Sequence, residues 1–89
     1  MLCKIVIQHK RQWIKDFEKI PKAEGGKIIQ KIKTLSQLPW TASVQAKHLK
    51  NYHLADFRLR VGNYRVLFDL DSENKIIYLL RVLHRSKLY

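Results

Sequence analysis

Apolar residues open the chain as a nearly continuous run. Leu2, Cys3, Ile5, Val6 and Ile7 surround a single Lys4, which suits a first strand over 2–8. The period then lengthens. Trp13, Phe17 and Ile20 recur at i, i+4 and i+7 with Ile14 beside them, while Lys10, Arg11, Lys15 and Lys19 take the other side. That spacing predicts an amphipathic helix over 9–20. Pro21 ends it and suits the first turn of a second helix. The second helix is expected to reach about Gln37, with Ile28, Ile29, Ile32 and Leu35 inward and Lys27, Lys31 and Lys33 outward. Gly25-Gly26 is an awkward pair near its start. Pro39 marks a loop. Trp40 beside it is read as a seal at the edge of a small core, in preference to a nucleobase stacker.

From Ala55 onward the period is two. Phe57, Leu59 and Val61 alternate with Arg58 and Arg60. Gly62-Asn63 is a two-residue hairpin turn. Tyr64, Val66, Phe68 and Leu70 then alternate with Arg65, Leu67 and Asp69. Residues 71–75 make a second turn, and Ile76 to Leu83 a last, strongly apolar strand that carries Arg81. The order β-α-α-β-β-β predicts an α+β fold. Its two helices pack on one face of a small, mainly antiparallel sheet. At this length the chain is expected to be one domain, residues 1–89.

The hairpin fixes a register. With Gly62 and Asn63 as the loop, Val61 faces Tyr64, Arg60 faces Arg65 and Leu59 faces Val66. Alternation then puts Phe57, Leu59, Val61, Tyr64, Val66 and Phe68 on the helix-covered face. Arg58, Arg60 and Arg65 share the other. Like charges directly opposite on a sheet destabilise it. A sheet that grips phosphates gains from them, because guanidinium groups donate in pairs to phosphate oxygens. The plainer alternative is a solvated face on which the arginines splay or pair with Asp56 and Asp69; anion binding is preferred.

Charge sharpens that reading. The formal net charge is +11, from 18 Lys and Arg against 7 Asp and Glu. Nine of the cations fall in 1–45 and nine in 46–89, so the charge belongs to the folded body rather than to a tail. Such a surface attracts polyanions, nucleic acid first and an acidic protein second. Cys3 is the only cysteine and reads as a small buried hydrophobe. No apolar run is long enough to cross a bilayer and no signal peptide is visible, so a cytoplasmic location is expected. His9, His48 and His53 match no common metal-ligand spacing, and carboxylates are scarce; no metal or other cofactor is expected.

The ending, His84-Arg85-Ser86-Lys87-Leu88-Tyr89, offers chemistry. RNA cleavage without metal needs a base for the 2′-hydroxyl, a stabiliser for transition-state charge and an acid for the 5′ oxygen. Histidine serves as acid or base near neutrality. Tyrosine needs neighbouring cations to become a base. Arginine stabilises charge and is an unusual acid. Each residue alone is a weak signal.

The segment Phe57-Arg58-Leu59-Arg60-Val61-Gly62-Asn63-Tyr64-Arg65-Val66-Leu67-Phe68 resembles the signature of the RelE/ParE toxin superfamily. Lys47-His48-Leu49 resembles its basic-Leu step, and the ending resembles its His-Arg…Tyr close. The resemblance implies a toxin of a type II toxin–antitoxin system. It further implies a metal-independent endoribonuclease that cuts mRNA on the ribosome, arrests translation and growth, and is held silent by an acidic, amphipathic antitoxin segment in a hetero-oligomer. By position, Arg58 and Arg65 would bind the scissile phosphate. Arg85 would neutralise charge, Tyr89 would act as base or orient the substrate, and His84 is a candidate acid. Arg60, Lys47 and Arg81 would contact RNA. Asp56 departs from the pattern, standing where a lysine would enlarge the basic site. ParE-like gyrase inhibitors share the fold, and that activity is the alternative. A nucleic-acid-binding module without catalysis is the third reading.

Overall fold

The computed structural model describes residues 2–88. Its strands are β1 (Lys4–Ile7), β2 (Ala46–His48), β3 (Phe57–Val61), β4 (Tyr64–Asp71) and β5 (Ile76–His84). Its helices are α1 (Lys10–Glu18) and α2 (Lys22–Thr34), with short 3₁₀ turns at Ala42–Val44 and Arg85–Lys87. The sheet runs β1-β5-β4-β3-β2. Every pairing is antiparallel except β1 with β5, which are parallel. The expected α+β fold is therefore present, with one strand more than expected: β2, in the Lys47-His48 segment.

The hairpin register is the expected one. Val61 pairs with Tyr64, Arg60 with Arg65 and Leu59 with Val66. Gly62 has φ +57, which supplies the positive φ that a tight hairpin turn needs at its first central position. The helix-side core joins Leu59, Val66, Phe68, Ile77, Leu79 and Val82 of the sheet to Trp13, Ile28, Ile32 and Leu35. Cys3 is buried among them. Trp40 seals the edge, as expected. Its rings meet Phe57 and Phe68 edge-on, and its Nε1 donates to the Leu35 carbonyl at 2.9 Å. Ile14 and Ile29, expected inward, are exposed. Each sits one position off the stripe its helix buries, so the apolar arcs are narrower than the sequence suggests.

The opposite face is not bare. Leu67 points away from the helices, between Val66 and Phe68, yet is 0% exposed. The connection from β2 to β3 reaches this face, where its Leu54 shares a hollow with Asp69, Tyr78 and Leu80. That loop closes on itself through Leu49 N–H to the Asp56 carbonyl. It is anchored to the sheet by Asp56 N–H donating to Asp69 Oδ1 at 2.8 Å, and it buries Ala55. A β-bulge between Leu67/Phe68 and β5 re-aims the strand around Leu80.

Candidate nucleic-acid interface

The outer face is built in rows across the sheet. One row runs Arg60, Arg65, Leu83. The next runs Lys47, Arg58, Leu67, Arg81. Pleating puts these side chains on one face, so Lys47, Arg58, Arg60 and Arg65 are brought together. Arg60 and Lys47 are exposed; Arg58 and Arg65 are half-buried. Arg65 Nη1 donates to the carbonyls of Gly62 and Tyr64, at 3.0 and 2.9 Å, which sets its guanidinium beside the turn. Arg85 reaches the same turn from the other strand: its N–H donates to the Asn63 carbonyl at 2.7 Å. Four cations on one face make a tract for phosphates, and the Arg85 backbone is fastened to the turn at its end.

His84 lies elsewhere. It pairs with Tyr64, whose ring it meets edge-on at 5.4 Å, and so belongs to the helix side of the sheet. Its Nδ1 accepts from Ser86 N–H at 3.2 Å and lies 2.9 Å from Ser86 Oγ. A neutral ring bonded this way carries its proton on Nε2. His84 lines a cleft of about 450 Å³ with Asp16, Lys19, Ile20, Tyr64 and Lys87, rather than the arginine face. Tyr89, expected as the base, lies outside the described residues.

Arg81, expected to contact RNA, is bound within the fold. Its Nε and Nη2 donate to the two oxygens of Asp16 at 2.7 and 2.9 Å. Asp16 Oδ2 also accepts Val82 N–H at 3.1 Å, and Gln12 Nε2 donates to Oδ1 at 3.0 Å. β1 ends at Ile7, opposite Leu79, so the far end of β5 is paired with β4 on one edge and has no strand on the other. The Asp16 carboxylate takes the place of that missing neighbour. Burial pushes the Asp16 carboxyl up, but hydrogen bonds from Arg81, Gln12 and Val82 outweigh burial and hold it below the usual carboxylate range. The Asp16 bond holds Arg81 above its ordinary range.

Sequence reading passed over Asp16. The signal was present: it falls at i+3 of the Trp13, Phe17, Ile20 stripe, where a lone carboxylate needs a buried partner. Among the described residues no group of three or more His, Cys, Asp or Glu side chains is placed to hold a metal. No described helix is long and apolar enough to cross a membrane.

This fold is shared with toxin chains solved in complex with their antitoxins. The archaeal RelE–RelB complex from Pyrococcus horikoshii contains a chain 25% identical, with a TM-score of 0.76 over 98% of this chain and 99% of that one. The RelBE2 toxin–antitoxin complex of Mycobacterium tuberculosis gives 24% identity and a TM-score of 0.76 over 96% and 100%. The RelB–RelE complex from Methanococcus jannaschii gives 25% and 0.65 over 97% and 94%. No curated protein matches the sequence significantly. The class is thus the RelE-like α+β fold. The model of the ParE toxin family of type II toxin–antitoxin systems matches residues 7–89, and the chain belongs to that family, within the RelE/ParE superfamily.

Proposed function

We propose that this toxin is a metal-independent endoribonuclease that cuts mRNA on the ribosome. The observation that carries the reading is the row of Arg60 against Arg65, continued by Lys47 and Arg58 and joined at the turn by Arg85. A strand of RNA laid over that tract has its phosphates gripped and the charge of its transition state neutralised. The 2′-oxygen attacks the adjacent phosphorus and loses its proton to the base, for which Tyr89 is the candidate. The 5′-oxygen leaves and takes a proton from the acid, for which a protonated His84 ring is the candidate, and a 2′,3′-cyclic phosphate remains. Arg65 and Arg85 stabilise the charge that builds on phosphorus. His84 serves as acid only through Nε2, and only for a substrate that wraps past the end of β5.

The partner is an acidic antitoxin segment. The solved RelE chains this fold resembles are held in complexes with RelB, and a charge of +11 speeds association with an acidic partner. The second reading, gyrase inhibition without RNA cleavage, is favoured by the match to the ParE family model. Purified toxin incubated with mRNA-programmed ribosomes, and separately with gyrase and relaxed plasmid, tests both. Cut mRNA with unimpaired supercoiling is expected. Blocked supercoiling with intact mRNA selects the second reading.

A further inference from the structure

The outer face holds a second feature that the arginine tract does not use. Beside the β2–β3 loop lies a hollow of about 430 Å³, lined by Gln8, His9, Leu54, Asp69, Tyr78 and Leu80. Its place follows from the strands. Ile77 and Leu79 enter the helix-side core, so Tyr78 and Leu80 point outward; Asp69 pairs with Tyr78 and does the same. Leu54 of the loop walls one side.

The chemistry of this lining is specific. Two rings, His9 and Tyr78, and two leucines offer flat and apolar contact. Among the described residues the side chains of Gln8, His9 and Tyr78 have no hydrogen-bond partner. Asp69 Oδ1 accepts Asp56 N–H at 2.8 Å. That bond orients the carboxylate and leaves Oδ2 to meet a donor. A phosphate is repelled by Asp69, and a purely apolar side chain would strand the polar groups. A planar ring that carries N–H donors satisfies both conditions, and an exocyclic amine meets a carboxylate better than the single N3–H of uracil, which is flanked by two carbonyl oxygens that the carboxylate repels. Proteins read single-stranded RNA in this way, stacking a splayed base on aromatic side chains and bonding its polar edge.

We propose that the hollow is a nucleobase pocket for the RNA strand whose phosphates lie on Arg58, Arg60 and Arg65, and that Asp69 selects a base bearing an exocyclic amine over uracil. This deepens the ribonuclease reading and rests on it. Asp69 follows Arg65 by four residues on β4, a distance of roughly 13 Å, so both lie within reach of one short single strand. The arginines supply affinity for any sequence. The hollow supplies preference.

The test is fluorescence anisotropy with short 2′-O-methyl oligomers of adenine, cytosine or uracil, which cannot be cleaved, at two salt concentrations. The free toxin is expected to prefer the amine-bearing oligomers over uracil by about five- to tenfold. Asp69→Asn retains an acceptor for Asp56 N–H but adds a donor, and should erase that preference without changing the salt dependence. Tyr78→Leu should weaken all oligomers several-fold, again at constant salt dependence. Arg58→Ala should weaken all equally and lower the salt dependence. An Asp69→Asn protein that keeps the wild-type preference, or a wild-type protein that binds the three oligomers alike, overturns the pocket while leaving the RNA tract standing. Absence of salt-dependent binding to any oligomer sinks the RNA reading itself, and the pocket with it.

Discussion

Arg60 and Arg65 stand directly opposite each other across the β3–β4 hairpin, one residue pair from the turn. Such a pair repels, and its cost to a sheet is about 0.2–1 kcal/mol. Stability and binding therefore pull in opposite directions here. Arg60→Thr is expected to raise the unfolding free energy by that amount, and to lower the slope of log affinity against log salt for single-stranded RNA by about 1. Urea denaturation and a salt titration measure the two effects. A variant that is less stable and binds RNA unchanged contradicts both halves.

Asp16 is the buried hinge of the C-terminal strand. It is 4% exposed and serves Arg81, Val82 and Gln12 together. Removing it strands Val82 N–H, while Arg81, 32% exposed, can turn to water. Asp16→Ala is therefore expected to cost about 2–3 kcal/mol in urea denaturation. The pH dependence follows from the depressed carboxyl. A carboxylate held lower in the folded than in the unfolded state contributes its full stability above the unfolded value, about 3.9. That contribution is lost as pH falls through the folded value. The gap between wild type and Asp16→Asn should be constant from pH 7 to about pH 5 and shrink below about pH 4. A gap that widens on acidification would reverse the assigned sign.

Leu67 tests whether the β2–β3 loop truly covers the outer face. Leu67→Ala is expected to cost about 2–4 kcal/mol, the range for a fully buried leucine. A cost under about 0.5 kcal/mol, usual for surface positions, would mean the loop stands off the sheet.

Gly62 carries the positive φ of the hairpin turn, with open space where a Cβ would stand. The strain is thus in the backbone alone. Gly62→Ala should cost about 1–2 kcal/mol and leave the register unchanged by amide chemical shifts.

Much of this fold is legible in the residues. Gly62-Asn63 flanked by strict alternation fixes the hairpin register and, through it, which arginines share a face. Trp40 and Cys3 read correctly from their apolar neighbours. β2 was hidden because three residues, Ala46–His48, are too few to show a period. The parallel pairing of β1 with β5 joins opposite ends of the chain, which no local pattern records. The burial of Leu67 on the outward side of β4 is a tertiary fact that alternation does not record. The engagement of Arg81 is likewise not local. Alternation from Ile77 and Leu79 would turn it inward, the bulge sets it opposite Leu67, and its guanidinium reaches Asp16 of α1 at the open edge of β5. His84 is a candidate acid by resemblance alone, and resemblance does not record that the pleat puts it beside Tyr64 on the helix side.

The ribonuclease account is tested most directly by Arg65→Ala on mRNA-programmed ribosomes, with magnesium as the sole divalent ion, and cleavage followed by primer extension. The account predicts cuts by the wild type and a loss of at least about 100-fold in rate for the variant, with circular dichroism and thermal midpoint close to wild type. Cleavage at the wild-type rate by a folded Arg65→Ala protein would place the chemistry elsewhere on the molecule.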